Sequence, residues 1–85
     1  MKEFLHTIND PNGIHARPAG LFVLKMQPFN SIITVKRAEQ RADGKKLFEL
    51  MKLRAKCGQT LLITAEGVDE DAAIEAAREF LTTLL

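Results

Sequence analysis

Residues 12–20 are Asn12-Gly13-Ile14-His15-Ala16-Arg17-Pro18-Ala19-Gly20, and they predict a tight turn that passes directly into a helix. The Asn-Gly pair favours the turn because glycine adopts a positive φ without a steric penalty. Pro18 fits a helix only in its first turn, where the backbone N–H that proline lacks would have no intrahelical partner. Both signals are satisfied if the helix begins just after His15. The segment therefore predicts His15 at the helix N-cap.

The start of this helix is a predicted anion site. Backbone N–H groups at Ala16 and Arg17 have no intrahelical acceptor, and the helix dipole adds partial positive charge at the same point. The Arg17 guanidinium can hold phosphate oxygens through two parallel hydrogen bonds. The same positive charge disfavours protonation of His15, so we expect a neutral, nucleophilic imidazole that could carry a phosphoryl group. The alternative is that His15 only caps the helix and Arg17 is a solvated charge.

The composition is that of one small globular domain, which we expect to span residues 1–85. The chain is 46% hydrophobic and 27% charged. No apolar run approaches the ~20 residues that span a bilayer, so we expect no membrane insertion and a cytoplasmic location. Cys57 is the only cysteine, which excludes an intramolecular disulfide. Two histidines and one cysteine give no metal-site spacing, so we expect neither a metal ion nor another cofactor.

The hydrophobic pattern predicts the order strand, helix, strand, strand, helix, strand, helix. Alternating or β-branched apolar residues place strands at residues 2–9, 31–36, 39–42 and 59–66. Helical spacing places helices at residues 16–27 and 47–54, and a last helix after an Asp69 N-cap. The expected buried stripe of that last helix is Ala73, Ala77, Phe80, Leu81 and Leu84. The sequence therefore predicts an α+β open-faced β-sandwich, with a four-stranded antiparallel sheet covered on one face by three helices.

Charge is unevenly distributed along the chain. Residues 36–56 contain eight basic and three acidic side chains, whereas residues 57–85 contain one basic and six acidic side chains. A basic segment of this kind can steer an acidic partner toward one face. It also leaves open a module that binds nucleic acid or an anionic membrane surface. The chain has no Trp or Tyr for base stacking, so we expect no nucleic-acid partner.

Three segments of the chain resemble the HPr family, the histidine-containing phosphocarriers of the bacterial phosphoenolpyruvate:sugar phosphotransferase system. They are Gly13-Ile14-His15-Ala16-Arg17-Pro18-Ala19, Lys45-Lys46-Leu47-Phe48-Glu49-Leu50 and Ile63-Thr64-Ala65-Glu66-Gly67-Val68-Asp69-Glu70. The resemblance covers nearly the whole chain, and it implies the strand order 1-4-2-3. It also implies that phospho-enzyme I phosphorylates His15 on Nδ1 and that His15 passes the group to an enzyme IIA domain. The protein would then act as a phosphorylated intermediate rather than a free-standing catalyst, and we expect a monomer.

The same resemblance, with the local chemistry, assigns site residues. His15 and Arg17 would carry the chemistry, and Ala16, Arg17 and Pro18 would surround the phosphate. The short helix from residue 47 would dock both transfer partners through exposed apolar side chains, although Leu47 and Phe48 could instead be plain core. The expected docking residues are Gly20, Lys46, Leu47, Phe48 and Met51.

Lys46 departs from the family pattern, in which the corresponding position is commonly serine. In many Gram-positive bacteria a dedicated kinase phosphorylates that serine to weaken phosphocarrier activity. Lysine has no hydroxyl to accept the phosphate, so we expect this switch to be absent here. An alternative function is a regulator that keeps the fold and controls other proteins in its phosphorylated form, without feeding sugar import.

Overall fold

The computed structural model describes the backbone of residues 1–84 and the side chains of residues 1–83. The elements are β1 (Lys2–Thr7), α1 (Ala16–Met26), β2 (Ile32–Arg37), β3 (Gln40–Asp43), α2 (Leu47–Lys52), β4 (Thr60–Glu66) and α3 (Glu70–Leu84). Their order is the predicted one, and the predicted bounds agree with these within two residues. Leu84, expected in the apolar stripe of α3, lies outside the described side chains. Within residues 1–84, no helix has the length and apolar content needed to cross a bilayer.

The four strands form one antiparallel sheet in the order β1-β4-β2-β3. This confirms the strand order that the family resemblance implies. β2 and β3 are joined by a two-residue hairpin, because Arg37 pairs with Gln40 and leaves only Ala38 and Glu39 unpaired. Ala38 has a positive φ of 53°, as tight hairpin turns of this length require.

The helices cover one face of the sheet and leave the other face open. In β4 Leu61, Ile63 and Ala65 are buried, whereas Leu62 and Thr64 on the opposite face are partly exposed. The helical residues of the same core are Ala19, Phe22, Met26, Leu50, Ala73, Ile74, Ala77 and Leu81. The α+β open-faced sandwich predicted from the sequence is confirmed.

Hydrogen bonds at both ends hold α1 beside α2. The side-chain Nε2 of Gln27, just after α1, donates to the carbonyl of Lys45 at 3.0 Å, just before α2. At the other end the backbone N–H of Ile14 donates to the carbonyl of Ala55, just after α2, at 2.9 Å. The two helices therefore run in opposite directions, and the end of α2 lies next to the turn that leads to His15.

Candidate functional site

His15 is the N-cap residue of α1, as the sequence predicts. Its backbone is extended, with φ −131° and ψ 170°, and its carbonyl accepts a hydrogen bond from the N–H of Ala19 at 3.0 Å. Its side chain, in contrast, makes no capping hydrogen bond. The helix therefore uses the backbone of His15 and leaves the imidazole available for other contacts.

The turn before His15 has room only for glycine. Gly13 has a φ of +67°, and a Cβ there would lie 2.9 Å from the Cα of Lys56 and would overlap the carbonyl oxygen of Ala55. The N–H of Gly13 donates to the carbonyl of Asp10 at 2.9 Å. Because the turn packs directly on the segment after α2, that segment fixes the backbone position of His15.

The carboxylate of Asp10 contacts the imidazole of His15. Oδ2 of Asp10 lies 3.1 Å from Nε2 of His15, and Oδ1 accepts a hydrogen bond from the backbone N–H of Asn12 at 2.9 Å. The hydrogen bond from Asn12, followed by that from His15, lowers the pKa of Asp10, so this carboxyl is ionised at neutral pH. The sequence predicts only a loop at Asp10, because an aspartate five residues before a histidine does not specify a contact.

The first turn of α1 contains the residues that the sequence predicts around a phosphate. Ala16 and Arg17 are exposed, whereas Pro18 is buried. The first turn of α1 contains no acidic residue that would offset the positive end of the helix dipole. A shallow surface depression beside this turn is lined by Asp10, His15, Arg17, Pro18 and Leu21. Pro18 has no N–H to donate, so it can contribute only an apolar wall to a phosphate site.

The expected docking residues differ in exposure. Phe48 is 79% exposed, so the alternative that it belongs to the core is wrong. Lys46 is exposed at the N-cap of α2. Leu47 and Met51 are half-buried and pack against the core, and Gly20 is half-buried on α1. Phe48 is therefore the apolar side chain of α2 that is most available to a partner.

Two further exposed leucines lie on α1, Leu21 and Leu24. Both fall outside the buried stripe of that helix, and Leu21 also lines the depression beside His15. The sequence shows that they lie off the stripe, but single exposed leucines are common and do not by themselves mark a surface. The position of Leu21 beside His15 becomes evident only in the structure.

Comparisons with known proteins assign the chain to a family. Residues 2–83 match the family model described as PTS HPr component phosphorylation site. The phosphocarrier protein HPr of Lysinibacillus sphaericus is 43% identical over 84 residues, which cover 99% of this chain and 96% of that protein.

Two solved structures have the same fold along nearly the whole chain. The histidine-containing phosphocarrier protein of Mycoplasma has a TM-score of 0.94 at 32% identity, covering 96% of this chain and 93% of that one. HPr from Thermoanaerobacter tengcongensis has a TM-score of 0.92 at 35% identity, covering 98% and 93%. The chain therefore belongs to the HPr family, the phosphocarriers of the phosphoenolpyruvate:sugar phosphotransferase system.

Proposed function

We propose that this phosphocarrier relays the phosphoryl group through His15, which accepts it on Nδ1 from phospho-enzyme I and passes it to an enzyme IIA domain. The observation that carries the proposal is the position of the imidazole. It lies at the N-terminus of α1, its side chain is 39% exposed, and it makes no capping hydrogen bond. Nε2 faces Asp10, so Nδ1 is the ring nitrogen left to bond phosphorus.

The residues after His15 support the phosphorylated state. The N–H groups of Ala16 and Arg17 and the dipole of α1 favour an anion at this point, and the exposed Arg17 guanidinium can reach phosphate oxygens. Pro18 would form the apolar wall of the site. A relay must also release its phosphoryl group, and a site that stabilised phosphohistidine too strongly would slow onward transfer. An exposed helix end with one arginine can stabilise the phosphoryl group and still release it to the next partner.

The surface formed by α1 and α2 is the proposed docking site. The HPr family works with the enzymes of the phosphotransferase system, and we assign enzyme I and enzyme IIA domains to this surface. Phe48 would be the apolar anchor, and basic residues of the 36–56 segment would attract acidic partners. The full proposed set is Gly20, Lys46, Leu47, Phe48 and Met51. We further propose that residues 1–85 act as one monomeric domain in the cytoplasm.

Mass spectrometry after incubation with enzyme I, phosphoenolpyruvate and Mg²⁺ tests the assignment of His15. The wild-type protein should gain about 80 Da, the mass of one phosphoryl group. His15→Ala should gain nothing, whereas the control His6→Gln should be modified like wild type, because His6 lies in β1, outside the proposed site at the start of α1. Equal modification of His15→Ala and wild type would show that another residue carries the phosphoryl group.

A further inference from the structure

Asp10 is held in one orientation by the turn that precedes His15. Its Oδ1 accepts the N–H of Asn12 at 2.9 Å, and its carbonyl accepts the N–H of Gly13 at 2.9 Å. Oδ2 is thereby directed at Nε2 of His15, 3.1 Å away. The Asp10 side chain is only 21% exposed, against 39% for His15. Asp10 is thus a fixed partner of the imidazole rather than a mobile surface carboxylate.

The same turn occurs before α2, where no histidine follows it. Oδ1 of Asp43 accepts the N–H of Lys45 at 2.9 Å, and the carbonyl of Asp43 accepts the N–H of Lys46 at 3.1 Å. Asp10 makes the same two bonds to the residues that follow it by two and three positions, Asn12 and Gly13. A turn of this kind therefore forms without an imidazole contact. The hydrogen bond between His15 and Asp10 is not needed to form the turn.

We propose that Asp10 is a positioning residue for phosphoryl transfer, which fixes the Nε2–H tautomer of His15 and keeps the Nδ1 lone pair free. A carboxylate accepts hydrogen bonds and cannot donate them, so the proton between the two groups belongs to Nε2. The lowered pKa of Asp10 keeps it an acceptor at neutral pH. The role rests on the proposed function of His15. It follows the general pattern in which a carboxylate behind a histidine sets the ring's tautomer and orientation.

With the proton on Nε2, every bond, electron pair and proton of the transfer step is accounted for. The Nδ1 lone pair of His15 forms a bond to phosphorus, while the bond from phosphorus to the donor's leaving group breaks and its electron pair returns to the donor. The ring becomes positively charged, and its Nε2–H faces the negative charge of Asp10. On onward transfer the electron pair of the Nδ1–phosphorus bond returns to the ring. The Nε2 proton stays in place, so neither step requires proton exchange with water.

Asp10→Asn reverses the donor and acceptor at this contact. The amide can donate to Nε2, which leaves the proton on Nδ1, where it must be lost before attack. Nitrogen-15 NMR of histidine-labelled protein, at a pH where the ring is neutral, reports which nitrogen of His15 carries the proton. We expect Nε2–H in the wild type and Nδ1–H in Asp10→Asn. We also expect phosphorylation of Asp10→Asn by enzyme I to be about 10-fold slower or more.

Two further variants separate this role from turn stability. Asp43→Asn makes the same change in the matched turn, and it should leave the His15 tautomer and the phosphorylation rate as in wild type. Asp10→Glu keeps a carboxylate, so it should retain the Nε2–H tautomer and recover part of the rate. A wild-type protein with Nδ1–H overturns the proposal without any variant. An unchanged tautomer or an unchanged rate in Asp10→Asn also overturns it, whereas phosphorylation at a residue other than His15 overturns the proposed function itself.

Discussion

Asp69 and Ser31 are joined by two hydrogen bonds across the fold. Oδ1 of Asp69 accepts the backbone N–H of Ser31 at 2.9 Å and its hydroxyl at 2.5 Å, and Oδ2 accepts the N–H of Asn30 at 2.7 Å. The sequence predicts Asp69 as the cap of α3, and its carbonyl does accept the N–H of Ala73 at 2.9 Å. Its carboxylate, however, holds the loop between α1 and β2 to the start of α3.

This contact should make stability depend on pH. The hydrogen bonds, first that from the Ser31 hydroxyl, lower the pKa of Asp69 below its ordinary value of 3.8. A carboxyl whose pKa is lower in the folded state stabilises the fold above its unfolded pKa, and it loses that contribution as the pH falls through its folded pKa. Asp69→Asn should therefore lower the urea midpoint at neutral pH, with a gap to wild type that closes below about pH 4.

Urea unfolding at neutral and acidic pH measures this gap. Asp71→Asn is the matched control, because Asp71 lies in the first turn of the same helix and its side chain is exposed. It should change the midpoint little at any pH. If the gap between Asp69→Asn and wild type stays constant from neutral to acidic pH, the ionised Asp69 carboxylate is not the source of this stabilisation.

Arg17→Ala should slow phosphoryl transfer without affecting the fold. Arg17 is exposed, so its removal leaves the core intact. A hydrogen bond to a charged group contributes about 1.5–3 kcal/mol, so we expect transfer to be about 10- to 100-fold slower in both directions. Rapid-quench kinetics with enzyme I and with an enzyme IIA domain measure the effect. Lys25→Ala, in the last turn of α1, is the control, and unchanged rates for Arg17→Ala would remove Arg17 from the site.

Phe48→Ala should weaken partner binding and leave stability nearly unchanged. Phe48 is 79% exposed, so truncation opens no cavity. Interface anchors commonly contribute about 1–3 kcal/mol, which calorimetry against enzyme I can resolve. Leu50→Ala, in the same helix but 2% exposed, should instead lower the free energy of unfolding by about 2–5 kcal/mol. Unchanged affinity of Phe48→Ala for enzyme I would exclude Phe48 as an anchor.

Lys46→Glu should slow association with enzyme I, most strongly at low ionic strength, where charge steering is least screened. Lys46 lies next to the end of α1, at the opposite end of the helix pair from His15. The change should therefore raise the KM for this protein as a substrate of enzyme I and leave kcat unchanged. Lys2→Glu, in β1 and outside the 36–56 segment, is the charge-matched control. Equal KM values for Lys46→Glu and wild type at low salt would place Lys46 outside the docking surface.

Much of the fold follows from local signals in the sequence. Alternation separates Leu61, Ile63 and Ala65 of β4 from Leu62 and Thr64 on the opposite face, and Gly13 with Pro18 locates the start of α1 within one residue. The order of the strands in the sheet comes from the family resemblance, because alternation alone does not say which strands are neighbours. Arg54 illustrates what local signals miss. It adopts a φ of +50° just after α2, a conformation for which glycine is the usual residue.

The hydrogen bonds of Asp10 and Asp69 depend on tertiary packing and cannot be predicted from the sequence pattern. Asp10 and Asp69 look alike in the sequence, as polar residues near helix starts. In the structure the carboxylate of Asp10 contacts the imidazole of His15, whereas that of Asp69 accepts a hydrogen bond from Ser31, 38 residues away. An aspartate can satisfy its hydrogen bonds in several ways, and only the positions of distant backbone groups decide among them. The sequence therefore predicts His15 and Arg17 as candidates but not the carboxylate behind the histidine.

Phosphorus NMR of the phosphorylated protein, followed through addition of an enzyme IIA domain, tests the relay through His15 most directly. After phosphorylation by enzyme I and removal of phosphoenolpyruvate, we expect one phosphohistidine signal of the Nδ1 type, absent from His15→Ala. That signal should disappear as the phosphohistidine of the IIA domain appears. A phosphoryl group on Nε2 or on another residue, or one that stays on this protein in the presence of the IIA domain, would contradict the account.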